Sequence, residues 1–242
     1  MNPRVSLLIL ITSIFFSCST DVKEETPALV TTPKTLSSEI DTFYAGNNLL
    51  QLTDTTETAF NNFFTASSDT SEANNIKLNS STVRRTGDTL FITLDNSNIV
   101  KYITEPYVEG SDNCTLYKYL GKVKGLNYHL IYVGLYEAFT YLMVNGNSGK
   151  ETYICGEPSV SPNKKQVAAA CFDLQAGFVF NGVQVYSVET DSLKLNWSRE
   201  LTKWGADNIA WLNDTNLLVE KMYLDTNQNV LKSFVKMSFT GK

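Results

Sequence analysis

The sequence predicts a mainly β fold: an antiparallel meander or sandwich of blade-like sheets, with a short helix near its N-terminal end. From Thr89 onward, apolar and polar residues alternate in short runs such as TLFITL (89–94) and NYHLIYVGLY (127–136). Turn-forming Asn, Gly and Asp residues separate these runs, and no helical segment lies between them. Short alternating runs joined by such turns are typical of antiparallel β-structure.

Residues 1–17 have the pattern of a secretory signal peptide. Arg4 supplies a positive charge, and residues 5–16 are apolar except for two serines and a threonine. A transmembrane helix needs about 20 apolar residues, whereas the apolar region of a signal peptide has roughly 7–15. The twelve-residue run therefore favours a signal peptide over its alternative, a buried core helix.

Cys18 follows the small residue Ser17, where a cleavage site belongs. This segment resembles the lipobox of bacterial lipoproteins of the Bacteroidetes type, although Phe15 and Phe16 replace the usual aliphatic and small residues. The resemblance implies that Cys18 carries lipid. Each CH₂ group buried in the bilayer contributes about 0.8 kcal/mol, so several acyl chains hold a protein on a membrane. Ordinary cleavage near Ser17, which leaves a free thiol, is the alternative.

Residues 18–39 predict a flexible tether, because they contain few apolar residues and two prolines, Pro27 and Pro33. The cluster Lys23-Glu24-Glu25 resembles the lysine-plus-acids signal that exports some lipoproteins of this type to the cell surface. A solvated linker explains the same charges. We expect a lipid-anchored protein of the outer membrane, with the cell exterior as the favoured side.

Residues 40–242 have the length of one domain. A chain of this size buries about 70% of its unfolded surface and needs no metal or disulfide to fold. Without residues 1–17, which hold one basic and no acidic residue, the net charge changes from −5 to −6. No basic run exists, which argues against nucleic acid as a partner.

Three cysteines, Cys114, Cys155 and Cys171, allow one disulfide at most. The run VAAAC places Cys171 in a small apolar strand, where a free cysteine acts as a hydrophobic residue. We therefore expect no bridge.

A helix is predicted at residues 53–66. Its start is rich in Thr and Asp, and Phe60, Phe63 and Phe64 recur at helical spacing. The segment SSDTSEANN (67–75) then has the composition of a loop.

Three segments look like copies of one another, with asparagines at 113, 163 and 213 that each open a turn into an apolar strand. A spacing of 50 with several strands per unit is found in β-propellers. PSVSPNKKQVAAA (158–170) resembles the opening of a blade in periplasmic propeller families. Residues 89–242 hold about three such units, whereas a closed propeller needs at least four, so an open meander or sandwich is the expected architecture.

The sequence contains no recognisable catalytic, cofactor or metal motif. His129 is the only histidine, which excludes a two-histidine zinc site, and its alternation with Ile131 and Val133 predicts a buried structural residue. The segment DTNQN (225–229) begins like a calcium loop, but Val230 and Lys236 stand where such a loop has Gly and Glu, so a hairpin turn is predicted.

Aromatic and acidic residues leave two functions open. Trp204 lies beside a turn-like glycine, and a role in packing is favoured over ligand binding there. Four acidic residues fall near predicted strand ends: Glu105, Asp112, Glu137 and Asp173. We expect a non-enzymatic binding or interaction module with a glycan or protein ligand. The alternative is a glycan-active hydrolase, whose carboxylate pair cannot be located from sequence because its spacing is spatial.

Overall fold

The structure is a computed structural model, and it describes residues 41–45, 48–65, 71–109 and 113–240. The predicted signal peptide (1–17), Cys18 and the tether (18–39) lie outside these residues. The described residues form one compact unit, and most of them belong to strands, so the prediction of a mainly antiparallel β fold is confirmed.

The strands form four antiparallel sheets, named here I to IV in chain order. Sheet I contains β3 (Val83–Thr86), β4 (Thr89–Thr93) and β5 (Ile99–Ile103). Sheet II contains β6 (Thr115–Lys122), β7 (Tyr128–Leu135), β8 (Ala138–Asn145) and β9 (Glu151–Ile154). Each strand of these sheets pairs with the next one along the chain.

Sheet III has the same meander order, with β10 (Ser159–Val160), β11 (Gln166–Cys171), β12 (Gly182–Val188) and β13 (Leu193–Glu200). Sheet IV contains β14 (Gly205–Asn213), β15 (Asn216–Leu224) and β16 (Val230–Thr240). Two early strands, β1 (Asp41–Ala45) and β2 (Asn48–Thr55), complete sheet IV, because β2 pairs with β16.

Consecutive sheets pack through apolar faces produced by the alternation in the sequence. In β7, for example, His129, Ile131 and Val133 are buried while the residues between them are only partly buried. One apolar cluster lies between sheets I and II, a second between II and III, and a third between III and IV. The order of the sheets in space thus follows the order of the chain.

Two short helices pack on this assembly. Helix α1 (Glu57–Asn61) begins after Thr56, whose side chain accepts a hydrogen bond from the backbone N–H of Ala59, and it buries Phe60 against sheet IV. Helix α2 (Glu72–Leu78) has the same type of cap at Ser71 and contacts β6 and β3.

The structure differs from the sequence-based expectations near the N-terminal end. Only Glu57–Asn61 of the segment predicted as a helix at 53–66 is helical; residues 53–55 belong to β2, because they pair with β16, and residue 66 is not described. The loop predicted at 67–75 overlaps helix α2, which capping and packing on β6 stabilise despite its helix-poor asparagines.

The three similar segments are only partly equivalent. Asn163 lies in the β10–β11 turn, and Asn213 ends β14 before the turn to β15. Each side chain accepts a hydrogen bond from the backbone N–H two residues on. Asn113 instead precedes β6, the first strand of sheet II. The structure contains four blade-like sheets where the sequence indicated three units, because strands before Thr89 contribute to sheets I and IV.

Candidate functional site

A cleft of about 1,200 Å³ opens where sheets II, III and IV meet the two helices. It is bordered by Phe63 and Phe64, which follow helix α1, and by the exposed side chain of Leu78 at the end of helix α2. Strands β6, β10 and β14 supply much of the rest, together with the β6–β7 turn and the β9–β10 connection. Residues from several elements therefore converge on this cleft.

Aromatic side chains line the wall that sheet II contributes. Phe139 and Tyr141 alternate on β8, so both point to the cleft side of the sheet. Tyr132 on β7 is the register partner of Tyr141 and meets its ring at 5.7 Å, edge to face. Phe139 and Tyr141 also pack against the apolar cluster between sheets II and III, and all three rings are partly exposed to solvent.

Two carboxylates, Glu157 and Asp207, line the same cleft. Glu157 lies in the β9–β10 connection, just after Gly156, whose backbone lies so close to β11 that a Cβ would overlap the carbonyl oxygen of Ala170. This close approach fixes where the connection enters the cleft. Asp207 lies on β14, which borders sheet III.

The protein environment raises the pKa of both carboxyl groups. Both residues are exposed, but desolvation by the surrounding protein raises the pKa of Glu157. Burial also raises the pKa of Asp207, and the negative charge of Glu220 acts in the same direction. Asn208 links the latter two acids, since its Nδ2 donates to Asp207 at 3.0 Å and to Glu220 at 2.7 Å.

Tyr141 lies within electrostatic range of both cleft acids. Burial is the main cause of its raised pKa, and the charges of Glu157 and Asp207 add to it. The phenol therefore stays protonated and can donate a hydrogen bond. The exposed residues Lys122 and Lys164 also line the cleft and supply positive charge.

A smaller cavity of about 430 Å³ adjoins the aromatic wall. Tyr132 and Tyr107 both line it. Tyr107 stacks on Tyr136, with ring centroids 5.9 Å apart and planes 16° from parallel, and the two residues are 56% and 43% exposed. Aromatic side chains therefore continue from the cleft to the surface of sheet II.

The structure confirms the prediction that His129 is a buried structural residue. It is buried between sheets I and II, and its Nδ1 lies 3.0 Å from the hydroxyl oxygen of Tyr119. Burial lowers the pKa of His129 to about 4, and the charge of Lys122 contributes. A buried neutral imidazole outside the cleft is not placed to act as a catalytic base.

The structure does not bring the four acids noted in the sequence together in the cleft. Glu105 forms an isolated β-bridge with Thr115, Glu137 has a φ of 54° after β7, and Asp112 lies outside the described residues. Burial by itself would raise the pKa of Asp173. The backbone N–H groups of residues 176–179 donate hydrogen bonds to its carboxylate, however, and lower the pKa below its ordinary value. Asp173 thus organises a loop.

Trp204 and the DTNQN segment also have structural roles, as predicted. Trp204 is buried in the cluster between sheets III and IV, and its carbonyl oxygen accepts a hydrogen bond from Asn181. Asp225 closes the β15–β16 hairpin by accepting the backbone N–H groups of Asn227 and Asn229. Its carboxylate is therefore already engaged by the turn.

The three cysteines of the described chain are free, and Cys155 and Cys171 are buried, as expected for Cys171. Within the described ranges, no group of three or more His, Cys, Asp or Glu side chains could hold a metal ion. Helices long and apolar enough to cross a membrane are not found in that part of the chain.

Glu157 and Asp207 are the cleft residues that sequence reasoning missed. They are 50 positions apart, and neither stands in a motif. No protein-family model, no curated protein and no solved structure matches the chain.

Proposed function

We propose that this protein is a membrane-anchored lipoprotein that acts as a non-enzymatic binding module at the cell envelope, with the cleft as its ligand site. The observation that carries the proposal is the cleft of about 1,200 Å³ between three sheets and two helices. Ligand pockets commonly have volumes of roughly 300–1,000 Å³ and combine apolar walls with a few polar groups. The cleft has this combination in Phe139, Tyr141, Glu157 and Asp207.

The anchor in this proposal is Cys18, at the end of the apolar run 5–16. Replacing it, Cys18→Ala, should release the protein into the soluble fraction or leave it unprocessed, because no lipid can be attached. Fractionation followed by mass measurement would show this. A variant that stayed membrane-bound at the size of the mature protein would contradict the lipid anchor.

Binding in the cleft can be tested without knowing the ligand. A photoreactive phenylalanine analogue at Leu78, which is 80% exposed and lines the cleft, should form a discrete adduct in the native cells. The matched control is the same analogue at Leu195, which is 49% exposed on β13 and is not a cleft residue. Equal labelling at both positions, or no adduct at Leu78, would contradict a binding role for the cleft.

A glycan-active hydrolase is the second candidate, and the raised pKa of Glu157 favours it. A general acid must hold its proton near neutral pH, and partial burial helps a carboxyl group to do so. Incubation with polysaccharides should then release reducing ends, and Glu157→Gln should abolish release. Glu200→Gln, at an exposed acid on β13, is the control. Binding without turnover would support the non-enzymatic function.

A further inference from the structure

We infer that the cleft binds a saccharide chain along an aromatic strip on sheet II. The strip consists of Tyr107, Tyr132, Tyr136, Phe139 and Tyr141. The inference rests on the proposed binding function and adds the chemical class of the ligand. It follows from three features: the geometry of the rings, the polar groups beside them and the pairing of the strands beneath them.

Tyr132, Phe139 and Tyr141 form one aromatic surface on one side of the sheet. Phe139 stacks on Tyr132 with centroids 5.9 Å apart and planes 19° from parallel. Both rings lie on the side opposite Ile131 and Val133, which are buried against sheet I. Tyr141 extends the surface into the cleft, and the small cavity joins Tyr132 to Tyr107.

The outer end of the strip is an exposed stacked pair. Tyr107 and Tyr136 keep 56% and 43% of their surfaces exposed while packing on each other. Leu116 and Leu135, which also line the small cavity, are 50% and 43% exposed. Contiguous exposed apolar side chains mark interaction sites more often than single ones do.

The polar groups that line the cleft favour a hydroxyl-rich ligand. Glu157 and Asp207 present carboxylate oxygens, Tyr141 a hydroxyl group, and Lys122 and Lys164 donors. A lipid chain in the cleft would cover these groups without pairing them, and each polar group that is removed from water without a new partner costs free energy. A saccharide has C–H faces that pack on rings and hydroxyl groups that pair with carboxylates and ammonium groups.

The strands beneath the strip disfavour an extended peptide. Such a peptide gains affinity by adding main-chain hydrogen bonds to a free sheet edge. Strands β7 and β8, which carry Tyr132, Phe139 and Tyr141, are internal: β7 pairs with β6 and β8, and β8 pairs with β7 and β9. A ligand on this face must bind through side chains, as a saccharide does.

The test is calorimetric titration of the full-length protein, purified from membranes in detergent, with defined hexasaccharides. The panel contains β-1,4-glucan, α-1,4-glucan, xylan, mannan and N-acetylglucosamine oligomers. At least one should bind, and Tyr132→Ala and Tyr136→Ala should each raise its Kd about three- to tenfold, as expected for loss of one ring contact. Tyr132→Phe keeps the ring and should retain affinity.

Tyr153→Ala is the matched control. Tyr153 is also a sheet II tyrosine, 52% exposed, but it lies near Tyr117 and Glu151 and outside both cavities, so its loss should leave Kd unchanged. Circular dichroism checks that each variant folds, and the exposed Tyr136 provides a readout if Tyr132→Ala does not fold.

The outcomes separate this inference from the proposed function. If Leu78 forms its adduct but no hexasaccharide binds, or if the adduct is a protein, the binding function stands and the saccharide inference is wrong. If no adduct forms and no hexasaccharide binds, both are wrong. Saccharide binding that is equally strong in Tyr132→Ala and Tyr136→Ala would also overturn the aromatic strip.

Discussion

The hydroxyl oxygen of Tyr119 lies 3.0 Å from Nδ1 of His129 inside the core between sheets I and II. Burial raises the pKa of Tyr119, so the hydroxyl keeps its proton, and the imidazole tautomer decides which of the two groups donates the hydrogen bond. Burial also lowers the pKa of His129 to about 4, from an ordinary value of 6.5. At neutral pH, the pair is therefore an uncharged polar contact inside the core.

The first prediction is that His129 makes stability fall with acid. Between pH 6.5 and about pH 4, the unfolded chain binds a proton at this site and the folded chain does not, so the free energy of unfolding falls as pH falls. Across that range, His129 lowers the free energy of unfolding by up to roughly 3 kcal/mol, and above pH 6.5 it has no effect on it. Urea unfolding at several pH values should show a shallower decline in His129→Gln. Equal slopes in the two proteins would contradict the prediction.

The second prediction concerns Glu72, which joins helix α2 to two sheets. Its Oε1 accepts from Arg85 Nη2 at 2.7 Å and from the backbone N–H of Tyr119 at 2.8 Å. Both charged side chains are only about one-fifth exposed. Glu72→Ala should lower the free energy of unfolding by about 1–3 kcal/mol, because it leaves buried donors unpaired. Glu72→Gln can still accept from Tyr119 and should cost less.

Urea denaturation of the two Glu72 variants measures this difference. Glu57→Ala is the control, because Glu57 forms an exposed ion pair with Lys232, and such pairs contribute about 0–1 kcal/mol. Losses of the same size in Glu72→Ala and Glu57→Ala would show that Glu72 does not join these elements.

The third prediction is that Gly156 tolerates no side chain. A Cβ at this position would overlap the carbonyl oxygen of Ala170, a backbone atom that cannot move without disturbing β11. Gly156→Ala should therefore reduce stability by several kcal/mol, about 3 or more, or prevent folding. Thermal unfolding with Gly87→Ala as control checks this. Gly87 has a positive φ of 55° but open space around it, so its variant should lose about 1–2 kcal/mol.

The features that sequence reasoning predicted are those that local patterns determine. The alternation around Ile131 and Val133 predicted a strand with one buried face, and the structure has that strand. The composition of DTNQN predicted a turn, which Asp225 closes with bonds to residues two and four positions away. Such contacts involve neighbours in the chain, so the sequence contains their signal.

The missed features depend on distant partners. Residues 53–55 form a strand because they pair with residues 234–236, about 180 positions later, and no local pattern indicates that pairing. Helix α2 is stabilised partly by Arg85 and Tyr119, which belong to two different sheets. Glu157 and Asp207 share a cleft only because sheets III and IV pack together, so periodicity could not identify them.

The fourth prediction is that Cys155 and Cys171 resist alkylation while the protein is folded. Burial raises the pKa of the Cys171 thiol to about 11, and the charges of Asp173 and Asp207 act in the same direction. Burial raises the pKa of Cys155 as well, and Cys171 adds to that effect. Because the thiolate is the reactive form, the thiolate fraction of Cys171 near pH 7.5 is smaller by on the order of a hundredfold than at the ordinary pKa.

Iodoacetamide labelling followed by peptide mass spectrometry measures this protection. In the folded protein, Cys114, which is only partly buried, should be labelled first, and Cys155 and Cys171 should remain unmodified. In urea without reductant, all three should be labelled, because the structure has them as free thiols. Labelling of Cys171 as fast as Cys114 in the folded state would contradict the burial argument. If Cys155 and Cys171 became reactive in urea only after reductant was added, they would form a disulfide, and the free-thiol assignment would be wrong.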